Sequence, residues 1–233
     1  MERLPAAGRF VLIGPPGAGK GTQAAWMRAR FRVPTISSSD TLRRAVAADS
    51  PLGRQVEAVM SSGGLVTDEV MNELMGERLS EPDVVNGFVL DGFPRTVAQA
   101  EALDRFSVEP AVVAIVLQVP EAEIERRLLS RRVCSRCRMP QSLSSHNSGQ
   151  RDCAYCSAAL EHRDDDEEST IKRRLLAFRD TVEPLLDFYG RRSRLIAIDA
   201  SADVPNVSAD IERQVALRAM LHGRSKKPLK GSS

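Results

Sequence analysis

Apolar positions along this chain follow two alternating patterns. Short, dense apolar runs recur at residues 9–13, 33–37, 88–91, 112–119 and 195–199, with longer amphipathic stretches between them. Several runs are apolar at successive positions instead of every second one. Parallel strands covered on both faces by helices look this way, so the sequence predicts a layered α/β sheet. Helical period or composition marks residues 22–31, 121–132 and 170–189, with Pro184 expected to kink or break the last of these. Two stretches depart from the rhythm. Residues 38–67 carry Leu42, Val46, Leu52, Val56 and Val59 at helical spacing and end at the turn signal Gly63-Gly64, which predicts a small helical insert. Residues 131–166 are polar around their cysteines, with Ser142, Ser144, Ser145, His146, Asn147, Ser148 and Gly149, and hold too few large apolar residues for a core. Some other device must hold them together. From Gly223 onward the chain reads as a basic, solvated, disordered tail, residues 223–233.

Composition narrows the class. At 233 residues, about 1.5 typical domain lengths, one large domain with small inserts fits better than an array. Hydrophobic residues at 42% and charged residues at 27% belong to a globular chain that buries a core without disulfide help, which excludes disorder, collagen and small disulfide scaffolds. A formal charge of +2 gives no reason to expect a nucleic acid or a membrane surface as partner. Within that balance, 28 of the 33 basic residues are arginine, and Lys20 is the only lysine through residue 171. No apolar stretch reaches 18 residues, and the N-terminal run at 10–13 is too short for a signal peptide, so a cytoplasmic protein is expected.

Three motifs carry chemistry. Gly14-Pro15-Pro16-Gly17-Ala18-Gly19-Lys20-Gly21-Thr22 follows a strand pattern and precedes a helix pattern, the context of a phosphate-binding loop. Its glycines let backbone N–H groups turn inward around phosphate oxygens, and the helix N-terminus adds partial positive charge. Lys20 would reach the β and γ phosphates. The hydroxyl arrives at Thr22, one residue later than in the strict pattern, because Gly21 follows the lysine. Asp91-Gly92-Phe93-Pro94-Arg95-Thr96 ends the run 88–91. At the carboxyl edge of a parallel sheet, Asp91 would lie beside the loop and could hold the water shell of Mg²⁺, and Arg95 could grip an anion. An ordinary Asp-Gly turn with a surface arginine is the alternative. Finally, Cys134-x2-Cys137-x15-Cys153-x2-Cys156 presents two pairs of thiols at the spacing of a zinc site. Four sulfur ligands leave no open position, so such a metal would be structural and would supply the device that residues 131–166 lack. His146 and His162 are substitute ligands, and a zinc ribbon flanked by Arg131, Arg132, Arg136 and Arg138 could instead read nucleic acid.

The offset loop, Leu65-Val66-Thr67-Asp68-Glu69, residues 86–96, and Arg163-Asp164-Asp165-Asp166-Glu167-Glu168 together resemble the adenylate kinase family, in family order, over roughly residues 8–215. The resemblance implies a P-loop core with a five-stranded parallel sheet (residues 1–37, 68–130 and 167–222), an insert that binds the monophosphate (38–67) and a zinc-stabilised lid (131–166). It implies phosphoryl transfer from MgATP to AMP by a monomer, with ATP, AMP and ADP as partners, Mg²⁺ as cofactor and Zn²⁺ as structural metal. ATP would be held by Gly17, Ala18, Gly19, Lys20, Gly21, Thr22, Arg127 and Arg131, and AMP by Ser38, Arg43, Leu65, Val66, Gly92, Arg95, Gln99, Arg163 and Arg174. Lys20, Arg95, Arg131, Arg163 and Arg174 would be catalytic, and Asp165 and Asp166 would fasten the lid. Gln99 would read adenine; donors such as GTP and pyrimidine monophosphate acceptors are the competing substrates.

Such a transfer needs no general base, since the attacking phosphate oxygen is already anionic. Cations that align two polyanions suffice. Three glycines of the family are replaced here by Ser39, Ser130 and Ala200. A positive φ at any of them would cost roughly 1 kcal/mol or more.

Overall fold

The computed structural model describes residues 8–61, 66–106, 111–137, 140–143, 149–162 and 168–224. Each dense apolar run forms a strand: β1 (Gly8–Ile13), β2 (Thr35–Ser37), β3 (Gly87–Asp91), β4 (Val113–Gln118) and, late in the chain, β8 (Leu195–Asp199). All pair in parallel in the order β2-β3-β1-β4-β8. Successive residues of β1 point to opposite faces and both faces are buried. Val11 and Ile13 join Leu103, Phe188 and Tyr189 on one side, and Phe10 and Leu12 join Met27, Ile211 and Val215 on the other. Two apolar layers explain why the runs do not alternate.

The first layer is made by α4 (Asp68–Leu79), α5 (Val97–Phe106) and α7 (Glu168–Gly190), the second by α1 (Lys20–Phe31) and α8 (Val204–Arg224). The helical stretches expected above include none of α4, α5 and α8. In α4 the buried residues include Arg78 beside Leu74 and Met75, so its inward face mixes apolar and charged side chains. Pro184 lies within α7 on an exposed position, and the helix continues through it instead of breaking. Solvent can take the carbonyl that the ring leaves without a donor.

The insert forms two helices, α2 (Ser38–Ala47) and α3 (Pro51–Ser61); Gly63-Gly64 lies outside the described residues. The helix expected over 121–132 ends earlier. Helix α6 spans Glu121–Leu129, Ser130 caps it through its N–H to the Arg126 carbonyl, and Arg131 opens strand β5 (Arg131–Cys134). Pairing with β6 (Pro140–Ser142) and β7 (Leu160–Glu161) in a separate antiparallel sheet satisfies the backbone that helix would otherwise have used. Among the described residues, positive φ outside glycine occurs at Arg32, Asp49, Ser157 and Ser193, so Ser39, Ser130 and Ala200 carry no such strain. Helix α8 runs to Arg224, and residues 225–233 lie outside the described residues. No helix among the described residues is long and apolar enough to cross a membrane.

Candidate active site

The cleft is built at the carboxyl edge of the five-stranded sheet. Gly17 and Gly19 take positive φ, +82° and +91°, which turns the loop between β1 and α1 back on itself. Inside that turn the Lys20 ammonium donates to the carbonyls of Gly14 at 2.7 Å and Pro15 at 3.0 Å. Burial brings its pKa down to about 8, opposed by Asp91, with Arg95, Arg174 and Arg131 adding repulsion. Three arginines and one carboxylate thus lie near enough to act on this one amine. Asp91, at the end of β3, is raised by burial, and Lys20 and Arg95 pull it back.

A cavity of about 700 Å³ opens over the loop, lined by Gly17 to Thr22, Asp91, Arg127, Arg131 and Arg174, and by Val133, Pro140 and Gln141 of the second sheet. Arg127 is anchored by Glu123 at 2.7 Å and by the Ser201 carbonyl at 3.2 Å. Glu123 also chelates Arg126, whose hydrogen bonds, aided by those from Arg127, hold its carboxyl down at about 2. The i, i+3 and i, i+4 spacing within α6 made this pairing legible, although the motif reading passed over Glu123.

A second group lies on the other side of Asp91. Gly92 has φ +82°, and a Cβ there would come within 2.6 Å of the Ser38 hydroxyl, so glycine suits both the turn and the approach of that side chain. Arg95 Nε donates to the Gly92 carbonyl at 2.9 Å. Gln99 is buried; its amide oxygen accepts from the Arg95 N–H at 2.7 Å and its amide nitrogen donates to Asp68 at 2.6 Å. Asp68 also accepts from Thr96 at 2.7 Å, which makes it the anchor of this corner. It stands in the stretch 65–69, and no local pattern marks it, because its partners Thr96 and Gln99 lie 28 and 31 residues on. Val66 stands just ahead of α4, and Arg43 is exposed on α2 and paired with Asp40. Leu65, Arg163, Asp165 and Asp166 lie outside the described residues.

The four cysteines converge. Their sulfurs all lie within 4.8 Å of one another, with Cys134 and Cys156 at 3.4 Å and Cys137 and Cys153 at 3.6 Å. Sulfurs around one tetrahedral zinc, each bonded at about 2.3 Å, would stand roughly 3.8 Å apart, so the set fits this ion. Burial opposes ionisation of Cys134, but the N–H groups of Cys137 and Arg136 and the neighbouring thiols bring it down to about 6. No histidine joins the cluster among the described residues.

Comparison with known proteins agrees with this geometry. The family model described as adenylate kinase matches residues 12–194. The chain is similar to the adenylate kinase of Salinispora tropica, 44% identical over 204 residues, covering 86% of this chain and 94% of that one. It is similar to that of Thermodesulfovibrio yellowstonii at 42% over 203 residues, 85% and 94%, and to that of Desulfitobacterium hafniense at 41% over 219 residues, 92% and 99%. With a phosphate-binding loop, a convergent set of arginines and a match across most of its length, the chain belongs to the adenylate kinase family.

Proposed function

We propose that this protein transfers the γ-phosphoryl group of MgATP to the α-phosphate of AMP, giving two ADP, reversibly. The observation that carries the reading is the cavity over the phosphate-binding loop, which Lys20, Asp91, Arg127, Arg131 and Arg174 line together. The AMP phosphate oxygen attacks the γ-phosphorus, the bond to the β,γ-bridging oxygen breaks, and the leaving ADP takes the electron pair. No proton has to be removed, so no general base is required. The fixed cations hold two polyanions in line and stabilise the charge spread over the transferring group.

In this reading the loop residues 17–22 cradle the ATP phosphates, Arg127 stacks on its base, and Ser38, Arg43, Leu65, Val66, Gly92, Arg95 and Gln99 receive AMP. Arg163 and Arg174 span the two nucleotides, and Asp165 and Asp166 fasten the lid. Asp91 would hold Mg²⁺ through water, an ion that neutralises phosphate charge when bound. The fit rests on a carboxylate at the strand end, facing the loop and two cations. The division into core (1–37, 68–130, 167–222), insert (38–67) and lid (131–166) is supported by the two separate sheets. The lid's cysteines would hold Zn²⁺ structurally. We take the enzyme to be a cytoplasmic monomer that balances adenine nucleotides.

The deciding experiment mixes ATP and AMP and measures ADP. Lys20→Ala is expected to lower turnover by several orders of magnitude with the melting temperature retained, because its amine donates to two loop carbonyls beside the cleft. Near-wild-type turnover in that variant would sink the assignment.

A further inference from the structure

Gln141 touches two places at once. On β6 it stands opposite Arg132 in the register of the second sheet, next to the Val133–Pro140 pair. Its amide nitrogen donates to the sulfur of Cys153 at 3.0 Å, and its amide oxygen accepts from the N–H of Ala154 at 3.2 Å. Both ends of one amide are thus committed to the second cysteine knuckle. The same residue, with Pro140 and Val133, lines the cavity that the phosphate-binding loop also lines. Cys134 follows Val133 directly in β5, so cavity wall and cysteine cluster share that strand.

An N–H donor to a metal-bound thiolate spreads its charge and fixes its direction, and loss of such an outer contact typically costs 10–100-fold in metal affinity. A side chain held by the knuckle cannot move without disturbing the sulfur. We propose that Gln141 is a positioning residue that couples metal retention by the cysteine cluster to nucleotide occupancy of the cavity, resting on the function proposed above. A metal in the cluster holds the cavity wall in its binding position. By linkage, nucleotide against that wall raises the cluster's affinity for the metal by the same factor, a gain read as slower release.

The test uses the full-length, zinc-loaded protein and a coloured chelator, following zinc release with and without MgATP in the absence of AMP. For the wild type, MgATP is expected to slow release about fivefold or more. Gln141→Met keeps the bulk and removes both hydrogen bonds; release is expected to be about 10–100-fold faster, with the MgATP effect gone. The KM for ATP should rise by more than kcat falls. Gln141→Glu keeps the acceptor for Ala154 and loses the donor to Cys153, so it too should release zinc faster. A residue that merely fills space would leave Gln141→Glu at the wild-type rate, and that result would overturn the proposal. Equal MgATP protection in wild type and Gln141→Met would overturn it as well. Wild-type protein that makes ADP but shows no MgATP protection defeats this coupling alone; protein that makes no ADP defeats the functional reading and the coupling with it.

Discussion

The Lys20 amine is held by two loop carbonyls and surrounded by Arg95, Arg131 and Arg174. Its pKa of about 8 lies below the ordinary 10.5, so between those values the unfolded chain binds more protons than the folded one. This group's contribution to stability therefore rises with pH across that window. Catalysis runs the other way. Above about pH 8 the amine of the ligand-free enzyme loses its charge, and kcat/KM for ATP is expected to fall about tenfold per pH unit. Bound phosphates favour the ammonium, so kcat should hold to higher pH. A pH–rate profile checks both limbs, and a kcat/KM that stays level to pH 10 would contradict the assignment of Lys20. Lysine in a chain otherwise rich in arginine is intelligible here: a compact point charge fits a closed glycine loop that a planar guanidinium would crowd. The sequence pointed to Lys20 by motif and to Gln99 by family resemblance, but not to Asp68, whose bonds to Thr96 and Gln99 span 28 and 31 residues.

Elements built from local pattern were legible; elements decided by distant pairing were not. The strands followed from apolar runs and α6 from its period, yet α6 stops at Leu129 because β6 and β7 compete for the backbone of residues 131–134. Helix α6 also bears on the loop. Leu128 is fully buried against Ile124, Ile171 and Leu175, and a Cβ at Gly17 would meet it at 2.9 Å. Leu128→Ala is expected to destabilise the protein by about 2–4 kcal/mol through the cavity it leaves. Because the loop rests on this side chain, KM for ATP should rise as well. Denaturant melts and steady-state kinetics measure the two effects; an unchanged KM for ATP would mean that the loop does not depend on α6 packing, and a loss under about 1 kcal/mol that the site collapses around the change.

At the scale of the molecule the two sheets are stabilised differently. The parallel sheet has an apolar layer on each face, whereas the antiparallel one buries chiefly Val133, Cys134 and Cys153. So small a core cannot offset the entropy of ordering these strands without a cross-link. Purified protein is expected to carry about one equivalent of zinc, and chelation should lower its thermal stability by melting the small sheet ahead of the core. Calorimetry with metal analysis is the check; protein without zinc whose melting ignores chelator would remove the structural metal. The sequence by itself determined the α/β layering, the phosphate-binding loop and the four-cysteine set, since each is written in periodicity or short spacing. Only the tertiary structure decided that Asp68 anchors Gln99, that Glu123 and the Ser201 carbonyl aim Arg127, and that Gln141 joins the cysteine cluster to the cavity. Most of those contacts link residues from different elements, and the period of one helix or strand does not encode which side chains the fold brings against it.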